Sequence, residues 1–168
     1  AAAEATFVMS TSATTSIEDV AKVATGPLWF QLYVQRDRSF AASLVQRAEA
    51  AGCRVLVLTV DSPVLGPRYR EARNKFTMPP GMERANLRGL PTATGGHRGT
   101  ESSIFSPLLD PALVWEDVAW LRSITKLPLV LKGVMNPDDA ARGVDAGVAG
   151  IIVSNHGGRA YDGAVPTL

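Results

Sequence analysis

The sequence has one cysteine, Cys53, so no internal disulfide can form; a reducing compartment fits, and the expected location is cytoplasmic. It has only two histidines, His97 and His156, and no close run of carboxylates, which argues against a metal site. No apolar run approaches membrane-spanning length, and the first residues carry no basic-then-apolar leader pattern. Seventeen basic residues against sixteen acidic leave a formal net charge of +1. They are dispersed along the chain, so there is no electrostatic footprint for nucleic acid. No G-x-G-x-x-G follows the first apolar run, which disfavours a dinucleotide-binding Rossmann domain. Gly95-Gly96 lacks a following Lys-Ser/Thr and is weak as a phosphate loop; His97 beside it reads as solvated.

What is present is an ordinary globular composition, 46% hydrophobic and 20% charged over 168 residues, enough for one core and one domain. Ala1 to Ala5 reads as the stump of a helix, and Gly163 to Leu168 stops where another would begin. Between them, strands are expected at Phe7 to Ser10, Leu28 to Val34, Arg54 to Val60, Leu127 to Val134 and Gly150 to Val153. Helices are expected from a Ser16 cap to about Ala24, from Asp37 or Ser39 through Ala51, and from Asp110-Pro111 to about Ile124. A last helix follows Asn136-Pro137 and stops at Gly147. From about 62 to 109 no periodicity holds; a segment this long is a functional lid or binding loop, or is mobile, and the expectation is a long active-site loop.

The order is β-α-β-α-β-loop-α-β-α-β, and the fold class read from it is a (β/α)8 TIM barrel, of which the chain covers about five strands. In such a barrel the C-terminal strand ends converge on one pocket. Here those ends carry Ser10 and Ser12, Gln31 and Tyr33, Thr59 and Asp61, Lys132, Ser154 and His156. His156 can take a proton, and Asp61 can orient it or stabilise its protonated form. Arg159, three residues beyond, can grip a carboxylate with two parallel hydrogen bonds, and Arg68 and Lys132 add further cations. Cys53 is at the N-terminal side of its strand, away from this mouth, and is not read as a nucleophile.

The stretch Ser154 to Arg159 (SNHGGR), with Trp29 to Tyr33 (WFQLY), Leu58 to Pro63 (LTVDSP) and Leu127 to Val134 (LPLVLKGV), resembles the FMN-dependent α-hydroxy acid oxidases and dehydrogenases. That family includes glycolate, lactate and mandelate enzymes, and the resemblance runs through nearly the whole chain. It implies oxidation of an (S)-2-hydroxy acid to the 2-keto acid, with FMN as cofactor. His156 is then the base, Asp61 its partner, and Tyr33 a hydrogen-bond donor to the substrate. Arg159 and Arg68 bind the substrate carboxylate. Ser10, Gln31, Thr59, Lys132 and Ser154 contact flavin, with Lys132 placed to stabilise charge on the reduced ring. Ser12 stands where glycolate-oxidising members carry Trp, opening room over the substrate.

Ala160-Tyr161 replaces a common Gln-Leu, and nothing in the sequence explains it. Family members are also about twice as long. Their first strand, an N-terminal substrate-binding Tyr and the last two strands, which hold the FMN phosphate, have no counterpart here. The chain therefore reads as the central part, residues 1–168, of one FMN-binding barrel domain. The expected partners are other subunits of a homo-oligomer (a tetramer by resemblance) or a complementary barrel segment. Two alternatives stand beside the enzyme: a non-catalytic partial barrel that needs such a segment to bind flavin, and a different phosphate-binding barrel enzyme.

Overall fold

In a computed structural model of the chain, residues 5–64, 66–90, 109–161 and 163–167 are described below. Five parallel strands, β1 (Phe7–Ser10), β2 (Leu28–Leu32), β3 (Val55–Thr59), β4 (Leu129–Val134) and β5 (Gly150–Val153), form one sheet in sequential order. Parallel neighbours require a crossover, and helices supply it. These are α1 (Ile17–Val23) and α2 (Arg38–Ala50) after the first two strands, and α4 (Trp115–Ile124) and α5 (Pro137–Asp145) after the third and fourth.

The period-2 alternation of side chains explains the two faces. Met9, Phe30, Leu32, Leu56, Leu58, Leu129 and Leu131 are buried in a core with Ile17, Leu44, Val45, Ala48, Val118 and Leu121 from the helices. The residues between them face the other way. The strand register lines them up in rows: Ser10 pairs with Gln31, Val57 with Val130, and Thr59 with Lys132. One sheet face is thus apolar and helix-covered, and the other carries the polar groups at its C-terminal end.

Helix starts follow their caps. Ser16 Oγ accepts from Asp19 N (3.1 Å), Asp37 Oδ1 from Ser39 N and Phe40 N (both 3.0 Å), and Asn136 Oδ1 from Asp138 N (2.9 Å). The expected start at Asp110-Pro111 is not one; α4 begins at Trp115, after Val114. Asp110 is committed elsewhere: Oδ1 accepts from Ala112 N (2.9 Å) in a turn, and Oδ2 pairs with Arg38, which also reaches Asp117 Oδ1 at 3.0 Å.

Part of the segment expected to lack regular structure from 62 to 109 has it. That part holds α3 (Tyr69–Arg73) and a 3₁₀ turn at Ala85–Leu87. Asn86 is fully buried there, its Oδ1 accepting from Ile17 N (3.0 Å), and Ala85 N donates to Ala13 O (3.0 Å). The pull of one buried amide on an open helix N-terminus outweighs the absence of local periodicity. Gly95, Gly96 and His97 lie outside the described residues, as do Ala1 to Glu4 of the expected helix stump and Leu168.

Candidate active site

β2 ends at Leu32, short of the expected Val34, so Tyr33 stands just past the strand at the mouth. β3 ends at Thr59 and places Asp61 two residues beyond. β5 ends at Val153 and turns at once into a 3₁₀ turn, His156–Gly158. There Ser154 Oγ accepts from His156 N (3.0 Å) and Asn155 Oδ1 from Gly157 N (2.9 Å). His156 itself has φ +59, a left-handed conformation uncommon for a non-glycine residue, and Gly157 and Gly158 continue it at +64 and +69. Such strain persists only where surrounding contacts over-determine it.

Those contacts are on the imidazole. His156 Nδ1 lies 2.7 Å from Asp61 Oδ1 and 3.2 Å from Ser62 Oγ; its Nε2 lies 3.3 Å from the Tyr33 hydroxyl. With the carboxylate on Nδ1, that nitrogen carries the ring proton and Nε2 presents its lone pair. The Tyr33 hydroxyl then donates to Nε2. Burial is the largest influence on Tyr33 and pushes its pKa up; the Asp61 charge acts the same way, while Ser62, Arg68 and Arg159 oppose it. The phenol therefore holds its proton.

A second network runs along the polar sheet face. Ser10 Oγ donates to Gln31 Oε1 (3.1 Å), and Gln31 Nε2 donates to Thr59 Oγ1 (2.9 Å). Lys132 pairs with Thr59 in the register, and its Nζ stands 4.0 Å from Asp61 Oδ2, which is buried without a hydrogen bond among the described residues. Lys132 thus stands between the two networks, ion-paired with Asp61 and beside Thr59 in the strand register. A cleft of about 290 Å³ opens beside them, lined by Tyr33, Thr59, Ser62, Pro63, Leu109 and Leu113 among others.

Arg68 and Arg159 come together from different loops. Arg68 Nη1 donates to the Arg159 carbonyl (2.7 Å), while the Arg159 guanidinium is 58% exposed, with Glu71 Oε1 at 4.0 Å. A Cβ on Gly66 would fall 1.8 Å from that same carbonyl, so only glycine lets the two loops meet. Ser12 is exposed, its N–H donating to Ser10 Oγ (3.1 Å). Cys53 is buried, and burial pushes its thiol up to about 11. Among the described residues no group of three His, Cys, Asp or Glu could hold a metal, and no helix is long and apolar enough to cross a membrane.

Sequence reasoning missed Ser62, whose hydroxyl bridges Asp61 and His156, and Thr11, whose buried Oγ1 donates to Gln31 O (2.6 Å) and accepts from Tyr33 N (3.2 Å). The adjacency of Ser62 to Asp61 was the available signal for the first. Thr11 carried none.

Comparison with known proteins decides the family. A family model described as FMN-dependent dehydrogenase matches residues 1–168. The chain belongs to that family. It is 48% identical to an L-lactate oxidase of Nostoc sp. over 169 residues, covering 96% of this chain and 46% of that protein. It is 43% identical to the glycolate oxidase of Spinacia oleracea, covering 99% of this chain and 46% of that one. A solved structure of mandelate oxidase with (S)-4-hydroxymandelic acid superposes with a TM-score of 0.85 at 43% identity, over 96% of this chain and 46% of that one. The chain spans about half the length of the curated relatives it matches. As a member of that family the chain is part of a (β/α)8 barrel, of which β1 to β5 are five consecutive strands.

The donor set suits the flavin that the family uses. Gln31 offers an acceptor and donors on one amide, Ser10 and Thr59 offer hydroxyls, and Lys132 offers a cation with no hydrogen bond to Nζ among the described residues. Such an array matches the alternating acceptor and donor edge of a flavin's pyrimidine ring.

Proposed function

We propose that the protein to which this chain belongs oxidises an (S)-2-hydroxy acid to the 2-keto acid. FMN, when bound, supplies the two-electron acceptor. The observation that carries this reading is the Asp61–His156–Tyr33 chain, with a carboxylate 2.7 Å from Nδ1 and Nε2 left to act. The reaction removes two electrons and two protons from the substrate, and His156 Nε2 receives the proton whose loss starts it. Asp61 holds the imidazole in the tautomer that leaves Nε2 unprotonated and offsets the positive charge the ring acquires. Tyr33, kept as a phenol, donates a hydrogen bond to the substrate oxygen.

Arg159 and Arg68 take the substrate carboxylate, which fixes the α-carbon against the acceptor. The exposed guanidinium of Arg159 and the anchoring of Arg68 on its backbone support that assignment. Ser10, Gln31, Thr59 and Lys132 are the residues that would hold flavin. Ser154 contributes by fixing the His156 turn. Ser12, small and exposed, leaves room for bulky 2-hydroxy acids.

The deciding experiment is His156→Ala in the full-length protein. FMN should stay bound, because the flavin contacts are assigned to other residues. Reduction of that flavin by 2-hydroxy acid should slow by at least the roughly 10²–10⁴-fold that a general base supplies. Near-normal reduction per bound flavin would remove His156 from the mechanism.

A second reading, a non-catalytic partial barrel completed by another segment or subunit, is favoured by one observation. β1 and β5 are the sheet's two edges, and Phe7, Val8 and Val153 are exposed on them. Reduction of bound flavin by 2-hydroxy acid in the chain completed by the complementary segment separates the readings: the enzyme reduces it, and a non-catalytic barrel binds flavin without reducing it.

A further inference from the structure

Strand β4 contains an irregularity that an apolar-strand reading does not require. Its register with β5 shifts between Lys132 and Val134: Lys132 pairs with Ile152, Val134 with Val153, and Gly133 is the extra residue. Gly133 has φ +106, which L side chains rarely adopt. This is a β-bulge, and its effect on the alternation is visible. Leu129 and Leu131 point into the core, and so does Val134, three residues after Leu131. Lys132 is left on the polar face opposite Thr59.

The space at the bulge is filled by Asp61. A Cβ built on Gly133 would lie 2.4 Å from Asp61 Cγ, 2.5 Å from its Cβ and 2.6 Å from Oδ2. The crowding falls on the middle of a short side chain whose other oxygen is already held by His156 Nδ1 at 2.7 Å and Ser62 Oγ at 3.3 Å. The carboxylate therefore has nowhere to retreat without leaving the imidazole.

We propose that Gly133 is a positioning residue for the reaction, its missing side chain being the seat that holds the Asp61 carboxylate against His156. The proposal rests on the reading of His156 as the base. It predicts that any side chain at 133 acts through Asp61, beyond the backbone strain that positive φ imposes.

The test is a double-mutant cycle in the full-length holoenzyme with Gly133→Ala, Asp61→Gly and both together. Three readouts are taken: the rate of flavin reduction by 2-hydroxy acid per bound flavin, the thermal midpoint, and the deshielded Nδ1 proton resonance of the His156–carboxylate hydrogen bond in resting enzyme. Gly133→Ala alone should lower the rate at least tenfold and abolish that resonance. Added to Asp61→Gly, it should lower the rate little further and the midpoint only by the backbone strain that Ala carries at φ +106 in either background, because the crowded atoms are gone. Equal losses in both backgrounds, or a retained Nδ1 resonance in Gly133→Ala, would overturn the proposal. If Gly133→Ala does not fold, recovery of folded protein by the added Asp61→Gly supports it, and failure to recover assigns the glycine to backbone conformation alone. A wild-type protein whose flavin no 2-hydroxy acid reduces would defeat the functional reading instead, while the resonance and the midpoints would still judge Gly133.

Discussion

Asp61 Oδ1 and His156 Nδ1 are 2.7 Å apart although 95 residues separate them in sequence. The contact joins the loop after β3 to the turn after β5, across the intervening strand β4. It is a hydrogen bond between a largely buried carboxylate and a ring whose other nitrogen meets a phenol, so the three groups fix one another's protonation and orientation.

Arg159→Lys should weaken substrate binding although charge is kept. An ammonium cannot reproduce the planar two-pronged contact a guanidinium makes with a carboxylate. One charge-assisted hydrogen bond is worth about 1.5–3 kcal/mol, so KM should rise about tenfold or more in the full-length enzyme. Unchanged KM and kcat together would show that Arg159 does not touch substrate.

Much of this site was legible because barrel topology turns sequence position into spatial position. Once the strands ending near Ser10, Gln31, Thr59, Lys132 and Val153 were recognised, their polar tips had to share one end of the sheet. The pairings among them were not legible. That Gln31 links Ser10 to Thr59, and that Asp61 lies over Gly133, depends on register and on a one-residue bulge, which apolar patterning does not encode. The start of α4 was misread because Asp110 is drawn to Arg38 on α2, a tertiary ion pair that overrides a local capping signal. Asn86 escaped for the same reason: its partner, Ile17 N, is 69 residues away.

Cys53 should react slowly with thiol reagents in the native protein. Burial pushes its pKa to about 11, so at neutral pH almost none is thiolate. Alkylation by iodoacetamide should accelerate at least a hundredfold on denaturation, read by mass spectrometry of the Cys53 peptide. Rapid native labelling would mean that the β3 end of the core opens readily.

Glu18 and Arg47 tie α1 to α2 by two parallel hydrogen bonds, Nε to Oε1 at 2.7 Å and Nη2 to Oε2 at 2.9 Å. The Arg47 contact holds the Glu18 pKa down at about 2 against an ordinary 4.5. A lowered carboxylate pKa stabilises the fold above 4.5, and that stabilisation fades as pH falls towards 2. Both side chains are more than a third exposed or close to it, so solvent screening limits the pair to about 1 kcal/mol or less. Glu18→Gln should therefore lower the urea midpoint at neutral pH, and the gap to wild type should narrow steadily through the acid range. A gap independent of pH would assign the loss to packing.

Tyr33→Phe tests the remaining contact of the proposed base. Tyr33 Oη lies 3.3 Å from His156 Nε2, and burial raises the Tyr33 pKa above its ordinary 10. The hydroxyl thus keeps its proton throughout the neutral and mildly alkaline range and serves as a donor. Removing it leaves the Asp61–His156 pair intact, so the base survives and the loss falls on the substrate oxygen that the phenol would meet. A neutral hydrogen bond contributes about 0.5–1.5 kcal/mol, which sets the expected slowing of flavin reduction at roughly two- to tenfold. That is far less than His156→Ala should cost. Because the lost donor is protonated at every working pH, the slowing should be uniform from about pH 6 to 9. An alkaline limb present in wild type and absent from Tyr33→Phe would instead show the phenol ionising in that range, and with it a role as acid or base.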